Sequence, residues 1–125
     1  MPATVAPEAV MAIALFEAGT AGKGLEIEDI SRLFVVLQER GLSVGKVALR
    51  RVPRGVYSED VEAFVGRLEE AGYATSRSPV KCLEGGMRIC EEIVREELQS
   101  NPENFRNVAQ ALNFDLSRIT SPATA

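Results

Sequence analysis

The sequence predicts a mainly helical domain that carries one short two-stranded β-ribbon and has extra helices at its N- and C-terminal ends. An amphipathic helix ends in residues 67–73, where Gly72 is a typical helix stop. Two short β-prone segments, 73–77 and 79–83, then flank a Ser-Arg-Ser-Pro turn. A new helix opens near Gly85-Gly86. Helix, ribbon and helix in this order define the predicted fold class.

The bulk composition fits one globular domain. The 125 residues are enough to bury a core, and the hydrophobic fraction of 46% and charged fraction of 26% are ordinary. With no Trp and only 6% aromatic residues, this core must be aliphatic. The net charge of −4 counts against a generic basic nucleic-acid-binding protein, but it leaves room for a local basic patch.

The sequence also limits where the chain works and what chemistry it performs. Its longest apolar run, residues 9–16, is shorter than the roughly 20 residues that span a bilayer, and no Lys or Arg precedes it as in a signal peptide. We therefore expect a cytoplasmic protein without a membrane partner. The absence of His excludes Ser-His-Asp and Cys-His catalysis and imidazole zinc sites. We expect no enzymatic activity, no cofactor and no metal.

Two cysteines, Cys82 and Cys90, are too few for a disulfide framework, and their spacing matches no common metal motif. The favoured interpretation is a pair of small buried hydrophobic side chains. A disulfide between them requires the end of the ribbon to fold back on the following helix.

The N-terminal part is predicted to contain two helices. Residues 1–6 are expected to be a disordered lead, and Pro7 suits the first position of a helix that continues to residue 18. Because this helix is apolar on all sides, it must be buried, either in the core or against a partner chain. After a glycine-rich loop, apolar residues repeat with helical period over 27–37, and Gly41 follows as a stop.

The middle of the chain allows two interpretations. Ser43 can cap a short helix over 44–52, but residues 47–49 can instead begin a strand. Pro and Gly mark 53–57 as a turn. Ser58 then caps the amphipathic helix that ends in residues 67–73.

The C-terminal part is predicted to contain two more helices. One occupies residues 87–100, and Asn101-Pro102 starts another that reaches residue 112. The expected organisation is a single domain over 7–114 and a C-terminal tail over 115–125, of which residues 121–125 are disordered.

Three segments carry a resemblance to a known family. Residues 45–50 stand where that family has its second helix, residues 58–73 look like its recognition helix, and residues 81–86 are similar to its strand-exit pattern Lys-Leu-Thr-Glu-Glu-Gly. Over residues 27–98 the chain thus resembles a winged helix-turn-helix domain of PadR-like or MarR-like transcriptional regulators. Leu83 departs from the pattern, since the family has a helix-capping Thr there.

The resemblance implies a small DNA-binding regulator of transcription. Base contacts of a recognition helix come largely from its first turns, and here these turns carry Glu59, Asp60 and Glu62, which the phosphates repel. Basic residues instead cluster within 46–54 and flank the ribbon tip, which favours salt-dependent phosphate contacts with little sequence preference. The residues expected to contact DNA are Lys46, Arg50, Arg51, Arg54, Arg67, Arg77 and Lys81.

The resemblance also implies a homodimer, because such regulators usually dimerise through terminal helices. The residues expected at the dimer interface are Val10, Ile13, Phe16, Ile93, Leu98, Phe105, Val108 and Leu112. In an alternative hypothesis, the fold is a protein-protein interaction module that does not bind DNA, and its acidic helix docks a basic protein partner. The basic segment then only balances the acidic residues beside it.

Overall fold

The structure is a computed structural model that describes residues 4–75 and 78–120. Within these ranges the chain has six helices and one two-stranded antiparallel sheet, so the mainly helical fold class with a small β component is confirmed. In chain order the elements are α1 (Pro7–Thr20), α2 (Ile27–Glu39), β1 (Arg50–Val52), β2 (Gly55–Tyr57), α3 (Glu59–Glu70), α4 (Glu84–Ser100), α5 (Pro102–Ala111) and α6 (Ser117–Thr120). Among the described residues, no helix combines the length and the apolar character needed to cross a membrane.

Helix α1 is the centre of the core. Eight consecutive residues, from Ala9 to Phe16, are buried, as expected for a helix that is apolar on every side. The helix packs mainly along α4 and also contacts α3. Of the two environments allowed by the sequence, the chain's own core is therefore the one observed.

Local sequence signals define α2 and α3 as predicted. The backbone N–H of Glu26 donates to the Asp29 carboxylate at 3.1 Å, which completes a capping box at the start of α2. The Ser58 hydroxyl oxygen caps α3 by accepting backbone N–H bonds from its first turn. Gly41 and Gly72 follow the two helices with φ of 70° and 80°, a conformation in which glycine is favoured.

The helix predicted over 44–52 is wrong. Residues 45–49 are extended, and strand β1 follows at Arg50–Val52. Val47 and Leu49 are half-buried while Lys46 and Ala48 are exposed, which is the period of two that a strand produces. The alternative, a strand that begins at residues 47–49, agrees with this burial pattern, but the regular strand begins only at Arg50.

The ribbon, residues 73–83, contains a short antiparallel pairing rather than regular strands. Ala74 bridges Cys82, and the Thr75 N–H donates to the Lys81 carbonyl at 2.8 Å. The second arm also bridges backward, because Val80 pairs with Leu25 in the segment before α2. Residues 80–82 of the ribbon therefore lie between residues 74–75 on one side and the segment before α2 on the other.

The ordered domain extends beyond the predicted limits of 7–114. Val5, expected in a disordered lead, is fully buried, and its N–H donates to the Ser43 carbonyl at 2.9 Å. Ile119, in the C-terminal segment that was expected to pack as a tail, is buried on helix α6. The disorder predicted for residues 121–125 lies outside the described residues.

Candidate nucleic-acid interface

Four of the basic residues predicted to contact DNA lie on, or just before, one β-hairpin. Residues 50–57 form this hairpin, which we call the basic hairpin, and Arg50 pairs with Tyr57 at its base. The turn at its tip is Pro53-Arg54. Since successive strand residues point to opposite faces, Arg50 and Arg51 project from opposite sides of the hairpin.

Arg50 is directed toward the start of α3. Its guanidinium lies 4.9 Å from the centre of the Tyr57 ring and 3.6 Å from the Glu59 carboxylate. The side chains of Arg50 and Glu59 are 59% and 71% exposed, so solvent screens their attraction and the pair contributes little to stability. The pair instead orients the Arg50 side chain, which it keeps near the start of α3.

The carboxylates in the first turn of α3 all have partners within the chain. Glu59 pairs with Arg50, and Asp60 accepts a hydrogen bond from the Ala48 N–H at 2.8 Å. Glu62 accepts a hydrogen bond from the Tyr57 hydroxyl; burial of the ring, followed by this bond, raises the pKa of Tyr57 to about 12. The acidic turn thus contacts both the hairpin and the extended segment before it.

Two buried serines join the basic hairpin to α2. The Ser31 hydroxyl donates to the Ile27 carbonyl at 2.7 Å and accepts a bond from the Ser58 N–H at 3.0 Å. Both serines are 0% exposed, and Ser58 stands between β2 and α3. The sequence indicates Ser58 only as a cap and carries no signal for Ser31, because their pairing joins residues 27 positions apart.

The other cations on the hairpin and in the segment before it face solvent. Lys46, Arg51 and Arg54 are exposed, and in the part of the chain that the structure describes none of them forms an ion pair. Lys46 precedes the hairpin, Arg51 lies on β1 and Arg54 is in the turn. These three charges are free to meet a ligand, whereas Arg50 is already engaged.

The remaining predicted DNA contacts lie on other elements. Arg67 is exposed on α3, eight residues after its start, which corresponds to about 12 Å along the helix, and its guanidinium lies 5.9 Å from the Phe64 ring centre. Lys81 is exposed in the ribbon. Arg77, predicted at the ribbon tip, lies outside the described residues.

Most of the residues predicted at the dimer interface lie in the chain's own core. Fully or almost fully buried are Val10, Ile13, Phe16, Phe105 and Val108. Half-buried are Ile93, Leu98 and Leu112. Of the predicted interface residues, only the half-buried ones have surface to offer a second copy.

A cleft of about 490 Å³ lies between α2 and the extended segment before the hairpin. Apolar residues such as Phe34 and Val47 line it, and Lys46 and Asp60 are its charged residues. Within residues 4–75 and 78–120, no group of three or more His, Cys, Asp or Glu side chains is arranged to hold a metal ion.

Comparison of the chain with protein-family models, with curated proteins and with solved structures finds no match. The function is therefore inferred from the residues and their geometry.

Proposed function

We propose that this chain is a winged helix-turn-helix protein that binds double-stranded DNA through its basic hairpin and regulates transcription as a homodimer. Helices α2 and α3 followed by an antiparallel ribbon support this fold, as does the pairing of Val80 in the ribbon with Leu25 before α2. The long connection between α2 and α3, which carries the basic hairpin, is the main departure from a compact helix-turn-helix.

The observation that carries the proposal is the division of charge around α3. The acidic first turn of this helix is neutralised or hydrogen-bonded by the chain itself, while Lys46, Arg51 and Arg54 remain exposed and free of ion pairs within the described residues. Guanidinium groups recognise phosphate oxygens well, because their donors match the geometry of two oxygens. Phosphate contacts position a protein on DNA without reading its sequence. We therefore expect binding with little sequence preference.

Salt dependence of DNA binding tests this proposal. If Lys46, Arg51 and Arg54 each neutralise one phosphate, raising salt from about 50 to about 200 mM weakens binding about 40-fold. The double variant Arg51→Ala and Arg54→Ala keeps one of these contacts, so the same change weakens its binding only about 3–4-fold. Fluorescence anisotropy with a labelled duplex measures both slopes.

A matched control removes the same charge from another part of the protein. Arg106→Ala with Arg118→Ala changes two exposed arginines on α5 and α6, so it is expected to keep the salt slope of the parent chain. An equal loss in both double variants would show that only net charge matters and would overturn the role of the hairpin.

The net charge of −4 favours a second candidate function, docking of the acidic side of α3 onto a basic protein. In that case, DNA binding is absent even at ~50 mM salt. A basic peptide such as oligolysine would bind instead, and Arg50→Ala would strengthen this binding, because Glu59 loses its partner in the chain. DNA binding that responds to Arg51 and Arg54 would exclude this alternative.

A further inference from the structure

The ribbon packs directly on the buried face of α4. Cys82 lies in the second arm of the ribbon, and Cys90 lies on the face of α4 that also carries Gly86 one turn earlier. A Cβ at Gly86 would overlap the Tyr73 carbonyl oxygen, so the backbone of the ribbon touches this helix face. A disulfide between the two cysteines requires the end of the ribbon to fold back on the following helix, and this arrangement is observed.

Backbone hydrogen bonds fix the junction that directly follows Cys82. The Leu83 N–H donates to the Tyr73 carbonyl at 2.9 Å, and the Met87 N–H donates to the Leu83 carbonyl at 2.9 Å. The end of the ribbon thus runs into the first turn of α4 without a free loop. The two cysteine side chains are held in one small region by ordered backbone on both elements.

The two thiols differ in access and in protonation. Cys90 is fully buried, whereas Cys82 is half-buried. The Cys90 S–H donates a hydrogen bond to the Cys82 sulfur, which lowers the pKa of Cys82. The same bond, together with burial, raises the pKa of Cys90. Cys82 is therefore the thiol that reaches solvent and that more readily becomes a thiolate, the nucleophilic form.

We propose that Cys82 and Cys90 form a redox-responsive site that reacts with hydroperoxides and closes to an intramolecular disulfide. The Cys82 thiolate attacks the O–O bond, takes one oxygen as a sulfenic acid and releases an alcohol, or water from hydrogen peroxide, after protonation. The Cys90 sulfur then attacks the Cys82 sulfur; the S–O bond breaks, and water leaves with the Cys90 proton. Two thiols are oxidised to one disulfide while the peroxide is reduced by two electrons. This site goes beyond the proposed DNA binding and does not depend on it.

Intact mass spectrometry of the reduced full-length chain tests the proposal. After treatment with one equivalent of hydrogen peroxide, the monomer is expected to lose two hydrogens and to regain them with a thiol reductant. Proteolytic fragments under non-reducing conditions are expected to join the peptide of Cys82 to that of Cys90. In Cys90→Ser, the Cys82 sulfenic acid has no thiol to resolve it, so a 1,3-diketone reagent is expected to trap it.

Three results would overturn the proposal. They are a disulfide between two chains instead of within one, stepwise addition of oxygen to the cysteines without loss of two hydrogens, and no reaction of either thiol. Labelling of the native parent chain by a small alkylating reagent supplies a test without substitutions, which holds even if Cys90→Ser does not fold. Cys82 is expected to react before Cys90, and the reverse order would refute the assigned roles.

Discussion

Replacement of Ser31 by Ala tests how the basic hairpin is attached to the helical core. The Ser31 oxygen is the acceptor for the buried Ser58 N–H, and Ser58 connects β2 to α3. Removing this acceptor leaves a buried donor unsatisfied, which costs about 1–3 kcal/mol. Ala is a better helix former than Ser by about 0.5 kcal/mol, which offsets part of this cost. We therefore expect the free energy of unfolding to fall by about 1–2 kcal/mol, with Tm lower by about 3–10 °C.

Urea unfolding followed by far-UV circular dichroism measures this loss, and Ser100→Ala is its matched control. The Ser100 hydroxyl also donates to the carbonyl four residues earlier, at 3.0 Å, but it is exposed and holds no distant backbone group. Its replacement is expected to change stability by less than about 0.5 kcal/mol. If Ser31→Ala and Ser100→Ala lose the same stability, the Ser31–Ser58 bond does not anchor the hairpin, and this interpretation fails.

Helices α2 and α3 were predictable because the information that defines them is local. Apolar spacing gives their buried faces, and the starts and ends are set by neighbouring residues, such as Ser58 before α3 and Gly72 after it. No distant contact is needed to distinguish these segments from strands.

The extended segment 45–49 was not predictable with the same certainty, because distant residues decide it. Val44 and Val47 stand three apart, as on a helix face, while Val47 and Leu49 stand two apart, as on a strand face. The structure resolves this choice through Val5, which bridges Val44, and through Asp60, which binds the Ala48 N–H. Neither partner is visible from the local sequence.

The candidate site was predictable as a cluster of charges but not as a geometry. The sequence marks 53–57 only as a turn, whereas the structure limits the turn to Pro53-Arg54 and places residues 55–57 in strand β2. The engagement of Arg50 by Tyr57 and the freedom of Arg51 follow from strand register, which composition does not specify.

Two further predictions concern the packing of the ribbon and the acidic turn of α3. Gly86→Ala is expected to destabilise the fold by about 1–3 kcal/mol, because its Cβ would overlap the Tyr73 carbonyl oxygen of the ribbon. Gly85→Ala, whose Cβ would lie 3.1 Å from the Tyr73 ring, is the milder control in thermal unfolding. The raised pKa of Tyr57 means that the fold favours its neutral phenol, so this contribution to stability is complete below about pH 10 and is lost as pH rises toward about 12. In a Tyr73→Phe chain, tyrosinate absorbance reports Tyr57 alone, and its midpoint is expected near 12. Glu62→Gln is expected to lower this midpoint, because it removes the negative charge beside the phenol. A midpoint near 10 in the still folded parent would show that neither burial nor Glu62 acts on the phenol.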